Sequence, residues 1–379
     1  MNTDMSNKMN DIVSHEKCEV IMYGSTLDVE FNNIKATSIQ CAFGYIMYID
    51  SEGNLWAMGS NMSGELGVGD TERRKMPTLV EGIKPKKISC NTLRACMIDQ
   101  DNYVRMTGFN TTLSGVDPDY GSFLTTPVRI DRYISREGEL VDSPIKSKDI
   151  ACGTNHNLLI DIDDNLWTFG LGSQGQLGLG DSGDKRYPKQ VQNFKVKQIS
   201  CGTDHSIVID MDDNVWAFGS IVYAFFDKFK LQQNETQSYN IPFLIKGIKA
   251  KQVASGKNYN LIIDMEDNVW GFGLNDTAQL GIRHTDTTLI PIKITHYFKD
   301  NKIYNTPIKA LKVVCGSMVS LIIDEHYDVY VCGSNENKIF ASDNENRLYI
   351  IPRHIPGIKA IDASISSWDH IVILGIRTN

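Results

Sequence analysis

Short runs of alternating apolar and polar residues, separated by turn-forming residues, occur along most of the chain. The run HSIVID at 205–210 is followed by MDDN and then by VWAFG at 215–219. Alternation with a period of two predicts β-strands. Segments of the form D-x-D/E-D/G-N are rich in residues that form tight turns, so each one predicts a hairpin of antiparallel strands.

This hairpin pattern repeats along the chain. Clear copies lie at 50–60, 161–170, 210–220 and 264–273, and degenerate copies lie at 99–108 and 324–334. The six copies end at Gly59, Gly108, Gly170, Gly219, Gly273 and Gly333, so their spacing averages about 55 residues. A period of this length is typical of propeller blades rather than of helical solenoids.

Each repeat contains the same four parts in the same order. An apolar run ends in a small residue, an alternating strand follows, a third strand carries tryptophan in the clear copies, and a proline-containing segment closes the repeat. These prolines are Pro77, Pro127, Pro188, Pro242, Pro291 and Pro352. Proline cannot donate to a sheet ladder, so the fourth strand is predicted to be the outermost strand of a blade.

The two ends of the chain complement each other. Residues 361–374 begin a repeat that then stops, and VIMYGS within 18–35 matches the third strand LWAMGS. We therefore expect an all-β, seven-bladed β-propeller of four-stranded antiparallel blades, in which N- and C-terminal strands share one blade and close the ring. The predicted propeller domain spans residues 18–379, and residues 1–17 are predicted to form a flexible tail.

The repeats resemble the regulator of chromosome condensation repeat over residues 18–374. The resemblance is carried by CGTNH at 152–156, CGTDH at 201–205, and the glycine-rich loops SGELGVGD at 63–70 and SQGQLGLGD at 173–181. It implies the propeller fold. It leaves function open, because similar propellers serve as exchange factors, ligase modules, photoreceptors and inhibitors.

Composition narrows the classes of partner. The chain of 379 residues has a formal net charge of −8 and a pI of about 5.5, which argues against binding to nucleic acid or anionic lipid. No segment approaches the roughly 18 apolar residues that span a bilayer, and the first 17 residues contain no apolar run for a signal peptide. We expect an intracellular protein, cytoplasmic or nuclear, without a membrane partner.

Several motifs suggest chemistry but fit a structural role better. GLGSQG at 170–175 matches a dinucleotide fingerprint, yet the helix that must follow is not indicated by QLGLGDSGD. Carboxylates fall in the hairpin turns, where such residues bond the local backbone; they are Asp163, Asp164, Asp212, Asp213, Glu266 and Asp267. We predict no enzyme, and no catalytic, cofactor-binding or metal-binding residue.

Residues that recur at one position of the repeat are predicted to solve a packing problem. Cys152 with His156 and Cys201 with His205 could form two halves of a zinc site, but the cysteines recur in five blades, at Cys41, Cys90, Cys152, Cys201 and Cys315. Small buried thiols suit such a packing position. At the histidine position, which also carries tyrosine, we expect hydrogen bonds between blades, and at Trp56, Trp167, Trp216 and Trp270 we expect packing between blades.

The largest departure from the repeat lies at 220–240, where SIVYAFFDKFKLQQNETQSYN replaces the glycine-rich loop. Four aromatic residues, which are costly to expose, occur there: Tyr223, Phe225, Phe226 and Phe229. They either cap the propeller or bind a partner, and they are our candidate partner-binding residues. Two other long connections, at 130–146 and 296–309, are predicted to lie on the opposite face.

The sequence therefore predicts a non-enzymatic protein-binding propeller, an interaction scaffold or regulator that binds other proteins through variable loops. One alternative is a guanine-nucleotide exchange factor for a Ran-type small GTPase; in the founding member of the resembled family a projecting hairpin wedges into the GTPase. A second is a structural protein associated with chromatin or nucleic acid. The richness in Asn, Ile and Lys is typical of AT-rich genomes, including giant viruses, in which case a virion location would follow.

Overall fold

The structure is a computed structural model that describes residues 19–23, 35–111, 114–220, 240–335, 347–366 and 370–377. These residues are nearly all in strands and turns, with a short 3₁₀-helix at Pro118–Tyr120. The predicted tail at 1–17 lies outside the described residues. None of the helices in the described part of the chain is long and apolar enough to cross a membrane.

Twenty-eight strands are described. In the first half of the chain they are β1 (Glu19–Tyr23), β2 (Ala36–Ala42), β3 (Tyr45–Asp50), β4 (Leu55–Gly59), β5 (Arg74–Leu79), β6 (Lys87–Cys90), β7 (Arg94–Ile98), β8 (Val104–Phe109), β9 (Phe123–Arg129), β10 (Arg132–Ile134), β11 (Leu140–Asp142), β12 (Ser147–Cys152), β13 (His156–Asp161), β14 (Asn165–Gly170) and β15 (Lys185–Cys201). In the second half they are β16 (His205–Asp210), β17 (Asn214–Gly219), β18 (Phe243–Ser255), β19 (Tyr259–Asp264), β20 (Val269–Gly273), β21 (Thr288–Lys293), β22 (Tyr297–Lys299), β23 (Lys302–Tyr304), β24 (Ala310–Cys315), β25 (Val319–Asp324), β26 (Asp328–Ser334), β27 (Leu348–Ile365) and β28 (Ile371–Arg377).

Strands that are consecutive in sequence pair as antiparallel neighbours. Blade 1 is β2–β5 and blade 2 is β6–β9. Three long strands, β15, β18 and β27, each serve two blades: the first part is the outer strand of one blade and the last part is the inner strand of the next. Blade 3 is thus β12–β14 with the start of β15, and blades 4, 5 and 6 are centred on β16–β17, β19–β20 and β25–β26. The prediction of four-stranded antiparallel blades is confirmed.

The two chain ends meet in blade 7. Strand β1 pairs with β28 in antiparallel register from Glu19 opposite Gly375 to Tyr23 opposite Ile371, and β28 pairs with the end of β27. The predicted sharing of one blade by N- and C-terminal strands is therefore confirmed. The part of this prediction that concerns residues 24–34 lies outside the described residues.

The hydrophobic core is divided among the interfaces between blades. Seven buried clusters are found in the described residues, and each contains residues from two neighbouring blades. The cluster of blades 7 and 1, for example, joins Leu374 to Ile39 and Met58. Since the apolar faces of each sheet are covered by its two neighbours, these interfaces stabilise a closed ring.

The proline-containing fourth strands are the outer strands of their sheets, as predicted; Pro77 lies in β5 and Pro127 in β9. The innermost strands surround a central channel of about 320 Å³, and small residues such as Ser89, Ala151 and Ser200 line it. Small side chains leave this space open because seven sheets converge on one axis.

The two long connections that follow the outer strands of blades 2 and 5 form extra hairpins. Strands β10 and β11 pair with one another, and Ile134 lies beside Lys189 of β15 in a parallel bridge. Strands β22 and β23 pair in the same way, and Phe298 lies beside Arg353 of β27. Each hairpin therefore extends the outer edge of the following blade.

Candidate functional site

The carboxylates at the hairpin turns are used by the turns themselves. In blade 4 the Asp210 carboxylate accepts bonds from the backbone N–H groups of Asp212 and Asn214, from the Asn214 amide, and from the Trp216 indole at 2.7 Å. Burial opposes ionisation of Asp210, but the bonds from Asn214 and Trp216 outweigh it and lower its pKa. The turn residue Asp213 has a φ of 67° and pairs with Lys197.

The same indole-to-carboxylate bond occurs in blades 1, 3 and 5, at 2.7–2.8 Å. The indoles also pack on the clusters between blades; Trp167 lies on the cluster of blades 2 and 3, and Trp216 on that of blades 3 and 4. The prediction that the tryptophans pack between blades is confirmed. The hydrogen bond to the turn aspartate is a second role, which the six-residue spacing from Asp210 to Trp216 could have indicated.

The dinucleotide-like motif is not followed by a helix. Gly170 ends strand β14 with a φ of 112°, and residues 171–184 form turns and irregular backbone. Without a helix N-terminus, the segment lacks the geometry that holds a phosphate in such motifs.

The recurrent histidines and tyrosines bond neighbouring blades, as predicted. His156 Nε2 lies 3.0 Å from Ser206 Oγ, and His205 Nε2 lies 3.0 Å from Asn260 Oδ1. Tyr45 donates to the Arg94 carbonyl at 2.7 Å. Burial is the main cause that lowers the pKa of His156 to about 3 and of His205 to about 4, so both are neutral near pH 7.

The five recurrent cysteines pack at the inner ends of their strands. Each belongs to, or packs against, a hydrophobic cluster between two blades. Burial raises the pKa of Cys41 and of Cys315 to about 12, which suits packing residues. In the described part of the chain no group of three or more His, Cys, Asp or Glu side chains is placed to hold a metal ion.

The four candidate partner-binding aromatics, Tyr223, Phe225, Phe226 and Phe229, fall within 221–239, outside the described residues. The described chain resumes at Asn240, and the next residues, Ile241 and Pro242, line a groove between blades 3 and 4.

This groove, which we call the hairpin groove, has a volume of about 860 Å³. Its lining comes from the loop after β14, the outer part of β15, the turn before β17 and the tip of the β10–β11 hairpin. The main lining residues are Arg136, Leu179, Lys189–Lys195, Met211–Asp212, Trp216 and Ile241–Pro242. Residues from both ends of the blade therefore contribute to one groove.

The floor of the hairpin groove is apolar and its edge is basic. Phe194 packs edge-on against Trp216 with ring centroids 5.3 Å apart, and Ile241 is 44% exposed. Arg136 extends from the hairpin tip toward Gln190, with Nε 3.5 Å from Oε1, and Lys189 lies nearby in β15. Sequence reasoning did not find this site, although the unusual length of 130–146 indicated a special connection.

A family model described as the regulator of chromosome condensation (RCC1) repeat matches residues 52–91, 163–209 and 266–323, and a second model of the same repeat matches 148–176. These matches contain the third strands of blades 1, 3 and 5, β4, β14 and β20, and the second model's match contains the whole β13–β14 hairpin. They confirm the resemblance read from the sequence.

Curated proteins match over most of the chain. Protein RCC2 homolog of Danio rerio is 24% identical over 315 residues, covering 82% of this chain and 54% of that protein. Ultraviolet-B receptor UVR8 of Arabidopsis thaliana is 26% identical over 309 residues, covering 81% and 54%. The E3 ubiquitin-protein ligase HERC2 of Homo sapiens is 26% identical over 319 residues, covering 82% of this chain but 5% of the ligase. The chain spans about half the length of the first two.

Solved structures share the fold. Prp20p from Saccharomyces cerevisiae, described with its binding properties to Gsp1p and histones, superposes with a TM-score of 0.75 at 17% identity, covering 99% of this chain and 95% of that one. Human WBSCR16 superposes with a TM-score of 0.72 at 18% identity, covering 92% and 88%. With the repeat matches and the observed blades, these likenesses show that the chain contains regulator of chromosome condensation (RCC1) repeats and has the β-propeller fold of the solved structures.

Proposed function

We propose that this chain is a non-enzymatic protein-binding propeller and that the hairpin groove holds an extended segment of its protein partner. The observation that carries the proposal is the long groove with an apolar floor and a basic edge, at the place where an extra hairpin adds to the blade. No catalytic group is required for this function.

The chemistry of the groove indicates the kind of segment. Trp216 and Phe194 provide an aromatic floor, and aromatic side chains contribute strongly to protein interfaces. Three basic residues of the lining, Arg136, Lys189 and Lys195, outnumber its one exposed carboxylate, that of Asp212. The Asp210 carboxylate is occupied by the Trp216 indole and the Asn214 side chain. The groove therefore suits a segment with apolar side chains followed by acidic ones.

Charge reversal tests the groove. Arg136→Glu combined with Lys189→Glu is expected to weaken capture of the partner at least about tenfold, because both changes repel an acidic segment. The measurement is affinity purification from the native source with quantitative mass spectrometry, followed by titration of the purified partner.

The matched control is Lys246→Glu combined with Lys302→Glu. It makes the same change in net charge at two exposed lysines outside the groove, and it should retain the partner. If both double variants lose the partner equally, binding depends on overall charge, and the proposed groove is wrong.

Exchange activity toward a small GTPase is the second candidate. It is favoured by the β10–β11 hairpin, because the resembled family's founding member uses a projecting hairpin, and by the similarity to Prp20p, whose binding to Gsp1p is described. The hairpin tip at 135–139 carries Arg136, Glu137 and Glu139, all exposed.

Nucleotide release measures this activity directly. Replacement of residues 135–139 by glycine and serine should abolish any acceleration of GDP release from a Ran-type GTPase. The same replacement at Asp300–Asn301, the turn of the β22–β23 hairpin, should leave it unchanged. Absence of any acceleration by the wild-type chain would exclude this candidate.

The aromatic segment remains a separate proposal. Phe225→Ala with Phe226→Ala should weaken partner capture at least about tenfold if these residues bind the partner, and should leave the melting temperature within a few degrees. A double variant that lost stability and kept every partner would instead assign both residues to a cap.

A further inference from the structure

Blade 2 departs from the repeat at a buried position of its second strand. The third residue of this strand is a larger apolar residue in the other blades: Met47, Leu158, Ile207, Leu261, Leu321 and Val372. Blade 2 has Cys96 there, and this thiol has no exposed surface. The other blades fill this position with larger aliphatic or thioether side chains, so close packing by itself does not explain the smaller cysteine in blade 2.

Cys96 meets a second thiol across the interface with blade 3. Cys96 is the cross-strand neighbour of Ser89, and Ser89 Oγ accepts a bond from the Cys152 backbone N at 3.0 Å. Cys152 in turn is the cross-strand neighbour of Asn157, whose Oδ1 lies 3.9 Å from Cys96 Sγ. Both side chains belong to the buried cluster between blades 2 and 3, so the two thiols lie in the same interface.

In the described part of the other blades, no thiol occupies the position of Cys96. Cys201 Sγ donates to the Ala151 carbonyl at 3.4 Å, and Leu158 stands where Cys96 would be. Burial raises the pKa of the Cys201 thiol well above its usual range. For Cys152, the bond from Cys96 outweighs burial and lowers the pKa.

A buried cation and an open channel complete the arrangement. Arg94 is 4% exposed, and its Nη1 has no hydrogen-bond partner among the described residues. Its charge favours the thiolate of Cys152. Cys152 borders the central channel of about 320 Å³, whereas Cys96 lies behind it in the cluster between the blades. One thiol is therefore activated and reachable, and the other is positioned behind it.

We propose that Cys96 and Cys152 form a redox-sensitive pair that a hydroperoxide entering the channel converts to a disulfide between blades 2 and 3. The Cys152 thiolate attacks one peroxide oxygen, the O–O bond breaks, and a sulfenic acid forms as water or an alcohol leaves. Cys96 sulfur then attacks the sulfenic sulfur, the S–S bond forms, and water leaves. Two thiols are oxidised and one peroxide is reduced.

The disulfide would join two sheets that are otherwise held by packing and hydrogen bonds. A covalent link between residues 96 and 152 closes a loop in the unfolded chain and so favours the folded state. Oxidation is expected to raise the melting temperature rather than to lower it, and a thiol reductant should reverse the change.

Hydrogen peroxide and mass spectrometry test the pair in the full-length protein. After brief oxidation and alkylation, the protein should carry two alkyl groups fewer than the alkylated reduced protein, and peptide mapping should find Cys96 linked to Cys152. Cys152 should also react with a thiol reagent at least about tenfold faster than Cys201. No cross-link, or a cross-link between other cysteines, would overturn the proposal.

Two variants keep the test independent of folding defects. Cys96→Leu restores the residue type of Leu158 and should fold, lose the cross-link and leave Cys152 to stop at the sulfenic acid, which a dimedone probe detects. Cys201→Ser removes the equivalent thiol of blade 4 and should form the cross-link at the wild-type rate. A Cys96→Leu protein that still lost two thiols to a disulfide would contradict the assignment.

Discussion

Blades 2 and 4 follow the same backbone path with different side chains at the repeat positions. The third strand of each has a glycine of positive φ at or next to its last residue, 95° at Gly108 and 96° at Gly219, where a Cβ would meet the carbonyl of the preceding loop. The bonding side chains differ: blade 4 has Gly202, His205 and Trp216, and blade 2 has Asn91, Arg94 and Arg105. The fold therefore requires the backbone geometry and accepts more than one set of bonding groups.

The residues at these positions differ together between the two blades, because their side chains pack against one another. In blade 4 the His205 ring lies directly against Gly202 and leaves no room for a Cβ. In blade 2, where no imidazole occupies this place, Asn91 uses the room and donates to the Gly153 carbonyl of the next blade at 2.9 Å. A glycine and a histidine in one blade thus correspond to an asparagine and an arginine in the other.

The largest expected effect comes from filling the space of the glycine. Gly202→Ala should destabilise the protein by about 4 kcal/mol, because the new methyl group would meet the His205 ring and lie 2.7 Å from the Gly256 carbonyl oxygen. Asn91→Ala, the matched change in blade 2, loses hydrogen bonds but meets no such obstacle and should cost about 1–2 kcal/mol. Urea unfolding followed by circular dichroism measures both. Equal losses would contradict the comparison.

Acid is expected to lower the folding stability through the blades that contain a buried histidine. The folded state holds His205 with a pKa of about 4, against about 6.5 when unfolded, so the unfolded chain binds more protons between these values. Stability is therefore complete above about pH 6.5 and falls as the pH drops toward 4, by about 3 kcal/mol for this residue.

Unfolding free energies measured across this pH range test the expectation. His205→Gln should give a shallower acid slope than the wild-type chain. The matched control is Tyr259→Phe at the equivalent position of blade 5, which removes the bond to the Val319 carbonyl and does not titrate in acid. It should lower the whole curve without changing its slope. A slope unchanged by His205→Gln would show that other groups cause the acid dependence.

A smaller difference is expected at the turn. Trp216→Phe removes the indole bond to Asp210 and should cost about 1–2 kcal/mol, since the acceptor is ionised. Arg105→Met removes the corresponding contact to Asp99 in blade 2, at 2.8 Å, on a side chain 31% exposed, and should cost less than about 1 kcal/mol. If Arg105→Met lowered the free energy of unfolding more than Trp216→Phe, the turn of blade 2 would depend more strongly on its arginine than the turn of blade 4 depends on its tryptophan.

The smallest expected effect on stability is that of Arg94→Met. An unpaired buried charge is costly, and an apolar side chain of similar length can replace it with a change within about 1 kcal/mol. The variant should nevertheless slow peroxide oxidation of Cys152, because the cation that favours its thiolate is removed. Loss of stability beyond a few kcal/mol would instead indicate that Arg94 is essential to the interface.

Recurrence in the sequence predicted both the fold and several structural roles. The spacing of the hairpins, the outer prolines and the matching chain ends predicted antiparallel blades and the pairing of β1 with β28. Repetition of His156 and His205 at one position predicted bonds between blades, and these bonds are present. A residue that recurs at one position of the repeat has equivalent neighbours in every blade, so its recurrence predicts its structural role.

The candidate site depended on features that do not recur. The hairpin groove combines Arg136 of the hairpin that follows blade 2, Lys189 of the blade 3 edge and Trp216 of blade 4, and sequence spacing does not show that these residues share one surface. The meeting of Cys96 and Cys152 in one interface has the same origin, because Cys152 recurs in register whereas Cys96 is peculiar to the second strand of blade 2 among the described blades.

The sequence by itself determined the period, the order of strands and the type of repeat, because these depend on local alternation and turn chemistry repeated many times. Only the tertiary structure decided which side chains from different repeats are neighbours. Residues 63 positions apart in the sequence, such as Ser89 and Cys152, are brought to 3.0 Å from one another by the ring. Sites between blades are formed by such pairs, so their chemistry depends on the packing of one sheet against the next.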